Sequence, residues 1–214
     1  IKGLVVMSRD MDEIFDALAA NSVPSRYLKA YPSVKSLFAW VTDLGHRVNQ
    51  LKSWALRDDT PETFWLAGFT YPSCFLTSVL QASARSHGIP IDTLTFSFSI
   101  LELDASDISS PPDEGVYVRG LYLEGAGWDK DCKCLCEPNA MELIVNMPVV
   151  HFIPTQRKRS NKRRLNVYEC PLYMYPIRTG TRERPSFITM VELDAGDATA
   201  DHWVKRGTAL LLSL

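Results

Sequence analysis

Near residue 90 the hydrophobic period of the sequence changes, and that change limits the folds open to it. In TLTFSFSI, residues 93–100, Leu94, Phe96, Phe98 and Ile100 fall on one side, and Thr93, Thr95, Ser97 and Ser99 on the other. Strict alternation is the pattern of a strand. Further strand-like runs follow: GVYVRGLYLE, DCKCLCE, MPVVHFIP, NVYECPLYMYP, SFITMVEL and HWVKRGTALLLSL. Turn-rich pieces separate them: DASDISSPPDEG, RKRSNKRR, IRTGTRERP and DAGDATAD. No helical crossover of a dozen residues lies between these runs, so antiparallel pairing is expected, as a barrel or a sandwich.

Before residue 90 the period is helical. Ser8 is placed to cap a helix whose first turn holds Asp10, Asp12 and Glu13, with Ile14, Phe15 and Leu18 as its apolar stripe. From about Ser33, the residues Val34, Leu37, Phe38, Val41, Leu44, Val48, Leu51 and Ala55 recur at steps of three and four, which predicts a longer helix with that stripe inward. A third helix is predicted from Pro72 to His87, with Phe75, Leu76, Val79, Leu80 and Ser83 on one face and Gly88 and Pro90 as its stop. The fold class is therefore α+β, with a helical part over 1–90 and an all-β part over 91–214.

Bulk properties exclude several functions. The chain has 214 residues, 46% of them hydrophobic, enough for a substantial core. A net charge of −2 gives no electrostatic case for nucleic acid or an anionic membrane. No apolar run approaches the roughly 20 residues of a membrane helix. Five cysteines without a signal peptide favour a reducing cytosol and free thiols. A start at Ile1 rather than Met fits a piece of something longer.

GLYLEGAGWD, residues 120–129, invites a nucleotide-binding reading. A phosphate-binding loop needs Lys and Ser/Thr after its last glycine, and Ala126 and Gly127 stand there. A dinucleotide turn needs a third glycine opening a helix, but Lys130 and a strand-like run follow. Both readings fail. Gly125 and Gly127 are instead expected in a hairpin turn, and Gly120 at a bulge or a close backbone approach. Cys132, Cys134 and Cys136 alternate as if on one strand face. Ligands spread along a strand close a tetrahedral site poorly, so this row, with His151 as a fourth donor, reads as an apolar face before it reads as zinc. The basic run Arg157, Lys158, Arg159, Lys162, Arg163 and Arg164 has two readings: a solvated hairpin tip, or a docking patch for an acidic surface. His46, His87, His151 and His202 show no metalloprotease spacing, and no nucleophile elbow occurs, so nothing here points to catalysis. Phe64, Trp65, Phe69, Tyr71 and Phe75 crowd around Gly68, at a seam between helices and strands or on a partner face.

The blocks FWLAGFTYPSCFLTSVLQASAR, PIDTLTFSF, GVYVRGLYLEGAGWD, MPVVHF, YECPLY and DHWVKRGTALL, with VVMSRDMDEIF and YPSVKSLFAWVTDLGHRV before them, resemble the C-terminal domain of dynein heavy chains. The resemblance runs in order along essentially the whole sequence and is greatest to axonemal dyneins of the inner-arm group. It implies a helical part joined to a small antiparallel β-barrel that lies on one face of a ring of AAA+ modules in the same heavy chain, supports that ring and tunes motility. It further implies no catalysis and no cofactor in this domain, with ATP and Mg in the upstream AAA+ modules. Microtubules would be met only through the whole motor, with other axonemal dynein subunits as further partners and neither nucleic acid nor membrane. The place implied is the cytoplasm and cytoskeleton, in the axoneme of a cilium or flagellum. Trp65, Gly68, Phe69, Gly120, Glu124, Gly125, Gly127, Trp128 and Trp203 would be structural signature residues rather than catalytic ones. The basic run then becomes a candidate patch for an accessory axonemal subunit.

Overall fold

The computed structural model describes residues 6–156, 166–178 and 186–214. The protein divides into two units, Ile1–Ala55 and Leu56–Leu214. In the first, α1 (Arg9–Ala19) starts as its sequence requires: the Ser8 hydroxyl accepts from the Met11 amide, and Asp10 and Asp12 sit in the first turn. A short helix not foreseen, α2 (Ser25–Ala30), follows, and then α3 (Leu37–Ala55).

The face that α3 buries differs from the expected one. Its buried residues are Trp40, Asp43 and Arg47. Trp40 stacks on Tyr27 at 5.7 Å between ring centroids and donates from its indole N–H to the Tyr31 carbonyl at 3.1 Å. Lys35 pairs with Asp43 at 2.8 Å, and the Arg47 guanidinium lies over the Tyr31 ring at 2.9 Å. Burial pulls the Arg47 pKa down to about 10, opposed by Tyr31 and Asp43. Most of the expected stripe, by contrast, is left open: Phe38 is 81% exposed, Val41 and Val48 52% each, while Leu37 and Leu44 are half-buried. The fully buried side of this helix is a polar network around one tryptophan rather than the aliphatic stripe.

The second unit begins with β1 (Phe64–Trp65) and α4 (Pro72–His87), then runs through β2 (Leu94–Ile100), β3 (Val116–Arg119), β4 (Tyr122–Glu124), β5 (Gly127–Asp129), β6 (Cys134–Cys136), β7 (Ile144–Asn146), β8 (Val150–Gln156), β9 (Val167–Tyr173) and β10 (Phe187–Asp194) to α5 (Ala200–Arg206) and β11 (Ala209–Leu211). The helix α4 rests against β2, β8 and β10, so the expected boundary at residue 90 falls within this unit. Two sheets form, ordered β1-β3-β8-β2 and β5-β6-β10-β9-β11-β4-β7.

These sheets correct the expected antiparallel barrel in two ways. Among the described residues no closed barrel is found, and pairing is mixed: β1 runs parallel to β3, β6 to β10, and β11 to β9. The last pair exists because the start of HWVKRGTALLLSL, expected as strand, is the helix α5, which carries the backbone across β9 to its far side. Asp201 in its first turn, Lys205 and Arg206 in its last, and Gly207 as a left-handed cap at φ 68° specify that helix. GVYVRGLYLE is also two strands rather than one. Gly120, at φ 73°, turns the backbone between β3 in the smaller sheet and β4 in the larger. Leu121, Leu123, Phe152, Leu172, Val191, Leu193, Leu210 and Leu211, all at most 2% exposed, fill the core of this unit.

Candidate functional site

Of the signature residues, Glu124, Gly125 and Trp203 meet at the corner between α5 and β11, with Gly127 close by on β5. Only Gly125 and Ala126 separate β4 from β5, yet these strands of the larger sheet are not paired with each other, so EGAGWD is not the expected hairpin. Gly125 has φ 80°, and a Cβ there would lie 3.3 Å from the Thr208 Cα. Its carbonyl accepts from the Arg206 Nε and the Thr208 hydroxyl, each at 3.2 Å. A Cβ on Gly127 would meet the Cys136 Sγ at 2.9 Å and the Glu137 carbonyl at 3.0 Å. The glycines therefore admit protein backbone rather than phosphate, and β5, not a helix N-terminus, follows them.

Charged and aromatic groups lock the same corner. Glu124 takes a hydrogen bond from the Arg178 guanidinium at 2.6 Å, and Arg178 also donates to the Gly207 carbonyl at 3.0 Å. Glu137 pairs with Arg206 and with His202, the latter at 2.8 Å. The Tyr168 hydroxyl donates to the Thr208 carbonyl at 2.6 Å, and burial raises its pKa. Trp203, 1% exposed, donates to the Ala195 carbonyl at 3.0 Å and anchors α5. Sequence reasoning singled out Trp203 and the glycines but missed Arg178, Arg206 and Tyr168, which carried no local signal because their partners lie 29 to 81 residues away.

The other signature residues lie apart from this corner. Trp65 on β1 stands against Gly120, where a Cβ would come within 2.9 Å of its Cδ1. Phe69 stacks on Phe75 at 4.4 Å and tilts toward Phe64 at 6.2 Å, forming an aromatic seam between β1 and α4 beside buried Gly68. Trp128 on β5 lines a cavity of 510 Å³ with Phe98, Glu192 and Asp194, and a second cavity of 480 Å³ continues from it along β2 and β10.

The cysteine row is not one strand face. Cys134 and Cys136 flank buried Leu135 on β6, whereas Cys132 lies in the preceding turn and is exposed. Burial pushes the Cys134 thiol up to about 11, with the Cys132 thiol and nearby carboxylates adding to it, and burial likewise raises Cys136. The described residues hold no group of three or more histidines, cysteines or acids that could hold a metal ion. His87 pairs with Glu114 at 2.8 Å, and the His151 Nε2 lies 2.7 Å from the Glu114 carbonyl. The basic run from Arg157 to Arg164 lies outside the described residues. No helix among the described residues is long and apolar enough to cross a membrane.

A family model described as the C-terminal domain of the dynein heavy chain matches residues 1–212. Over its whole length the protein is 57% identical to the Dynein-1-beta heavy chain, flagellar inner arm I1 complex, of Chlamydomonas reinhardtii. It is 49% identical to Dynein axonemal heavy chain 2 of Homo sapiens, and 39% identical to Dynein axonemal heavy chain 1 of Rattus norvegicus, again over its whole length. In each case it spans 5% of the relative's length. With nearly every residue inside the match, the protein belongs to the family of C-terminal domains of dynein heavy chains.

Proposed function

We propose that this protein is the non-catalytic C-terminal element of an axonemal dynein motor, packing against the AAA+ ring of its own heavy chain and tuning ATP-driven movement along microtubules. The observation that carries this reading is the open stripe of α3, where Phe38, Val41, Val48 and Leu51 are 43 to 81% exposed. Apolar residues repeated at helical spacing are matched to a covering surface. Relatives of which these residues make up only 5% supply ample protein to cover it. Full burial of a side chain of this size contributes roughly 1.5–3 kcal/mol, and covering what these four still expose would add about half of that at Val41, Val48 and Leu51 and most of it at Phe38.

On this reading the mechanism is mechanical. The sheets of the second unit, pinned at the α5 corner, form a stiff body that limits how neighbouring ring modules shift during the ATP cycle. ATP and Mg belong to those modules, and the motor works in the axoneme of a cilium or flagellum. The test is a heavy chain with this domain deleted, followed in single-molecule motility and in bulk ATPase. Force or run length should change more than ATP turnover. Identical motility with and without the domain would refute the proposal. A second reading, docking of an accessory axonemal subunit, is favoured by the six basic residues among the eight from Arg157 to Arg164. Charge reversal there, followed by pull-down from axonemes, separates the two.

A further inference from the structure

The eight residues that join α3 to β1, from 56 to 63, belong to neither helix nor strand. They read LRDDTPET, and 56–60 are exposed. One ion pair closes this stretch. The Arg57 guanidinium forks onto the Glu62 carboxylate, at 2.9 Å from Nη1 to Oε2 and 2.5 Å from Nη2 to Oε1. That hydrogen-bonded fork holds the Glu62 carboxyl down to about 2. Arg57 is the one basic residue of the eight, against Asp58, Asp59 and Glu62, so the stretch carries a net charge of −2.

Between the two ends of the fork stands Thr60-Pro61. A proline biases the residue before it toward extended backbone. It also has no N–H of its own. A protein kinase must take its acceptor hydroxyl from an exposed, irregular chain, in line with the phosphate to be transferred. A kinase groove that is apolar just after the acceptor accepts proline there and disfavours residues whose amide would be left unpaired. Thr60 meets each of these conditions. The sequence has one other such dipeptide, Ser110-Pro111, also exposed and in the irregular chain between β2 and β3. No lysine or arginine occurs there from residue 91 to 118, whereas Thr60 has Arg57 three residues before it.

We propose that Thr60 is a phosphorylation site for a proline-directed protein kinase, and that the phosphate takes the Arg57 guanidinium away from Glu62. In the transfer, the Thr60 Oγ1 attacks the γ-phosphorus of ATP held by the kinase. An Oγ1–P bond forms, and the bond from that phosphorus to the β–γ bridging oxygen breaks. ADP leaves with the electron pair, and the hydroxyl proton passes to the catalytic base of the kinase. The new group carries a charge of about −1.5 to −2 and three acceptor oxygens, where Glu62 offers one charge and two oxygens. A guanidinium forks onto phosphate as it does onto carboxylate, so the more highly charged partner wins it. Glu62, released and repelled by the phosphate, returns toward the ordinary carboxyl range, and the closure from 57 to 62 opens.

The test incubates the whole protein with a mitogen-activated protein kinase and magnesium ATP, and maps the product by mass spectrometry. Phosphate should be found on Thr60. Pro61→Ala should slow its incorporation about tenfold or more, the effect of one unpaired amide in the kinase groove. In the phosphorylated protein the Glu62 carboxyl, followed by carbon-13 NMR, should titrate near its ordinary 4.5 instead of about 2. The phosphate itself, followed by phosphorus-31 NMR, should lose its last proton at lower pH than in phosphorylated R57Q. Arg57 and Glu62 are both partly open to solvent, so R57Q should keep the fold, which far-UV circular dichroism checks. Thr60 left unmodified, modification of Ser110 alone, or an equal rate in P61A would overturn the assignment of the site. An unmoved Glu62 titration, or the same phosphorus titration with and without Arg57, would overturn the exchange of partners.

Discussion

The contact between Gly120 and Trp65 gives a sharp test of how the two sheets are joined. Gly120 sits at φ 73°, and an added Cβ would lie 2.9 Å from the Trp65 Cδ1 and 3.3 Å from its Nε1. Gly120→Ala therefore carries two costs. The left-handed backbone costs an alanine about 1–2 kcal/mol. Displacing the indole from its place on β1, where Trp65 is in register with Arg119, costs about 1–3 kcal/mol more. The expected loss is about 2–5 kcal/mol, read from urea unfolding followed by far-UV circular dichroism. The two parts are separable. In a Trp65→Ala background the steric part vanishes, so G120A should cost only the backbone part, and the double-mutant cycle should show a coupling of about 1–3 kcal/mol. Gly120→Asn should recover some of the backbone cost, because asparagine tolerates this region, but none of the steric cost. Additivity of G120A and W65A within about 0.5 kcal/mol would refute the claim that Trp65 is the wall that requires glycine at 120.

Trp203→Ala should destabilise the second unit by about 3–5 kcal/mol in the same assay, since it empties the site of a fully buried indole and strands the Ala195 carbonyl. Alkylation by iodoacetamide at pH 8 should reach exposed Cys74 and Cys132 first, and buried Cys170 only after unfolding. Burial pushes the Cys170 thiol up to about 12 in the fold, above its value in the unfolded state. Its contribution to stability is thus complete below pH 8–9 and should be lost as pH rises toward 12, seen as a falling urea midpoint. The hydrogen bond from Arg57 holds the Glu62 carboxyl down to about 2, so its contribution is present above about pH 4.5 and lost as pH falls toward 2. That pair is open to solvent, so Glu62→Gln should cost less than about 1 kcal/mol at pH 7. Phe38→Asp should leave the midpoint of the isolated domain unchanged within about 0.5 kcal/mol, while weakening association with the rest of the heavy chain in a co-purification assay.

What the sequence made legible was local. The Ser8 cap, the Pro72 start and Gly88 stop of α4, and the alternation of β2 each depend on residues within a turn or two, and each appears in the structure. What it hid was non-local. That β4 and β5, two residues apart in sequence, do not pair follows from partners supplied by β11, β7 and β6, which no pattern within EGAGWD encodes. The helix α5 is only seven residues long, under two turns, so its period cannot be told from that of a strand. Its capping signals, Asp201 early and Gly207 late, were the readable clue. The glycines of the signature stretch were legible as structural but not as contacts, because Thr208, Cys136 and Trp65 reach them from other strands and turns.

The stripe of α3 is a different kind of miss, and it bears on function. The periodicity of Phe38, Val41 and Val48 correctly gave a helix, yet the side buried within its unit is the one with Trp40, Asp43 and Arg47. A hydrophobic period reports every surface a helix must cover, including surfaces offered by other parts of a larger protein. One helix that satisfies a polar network on one side and holds an aliphatic stripe on the other has two neighbours to serve. The first is its own unit, where the Arg47 guanidinium over Tyr31 and the Lys35–Asp43 pair fix its position. The second is whatever surface covers that stripe, which on the proposed reading is the ring of the same heavy chain.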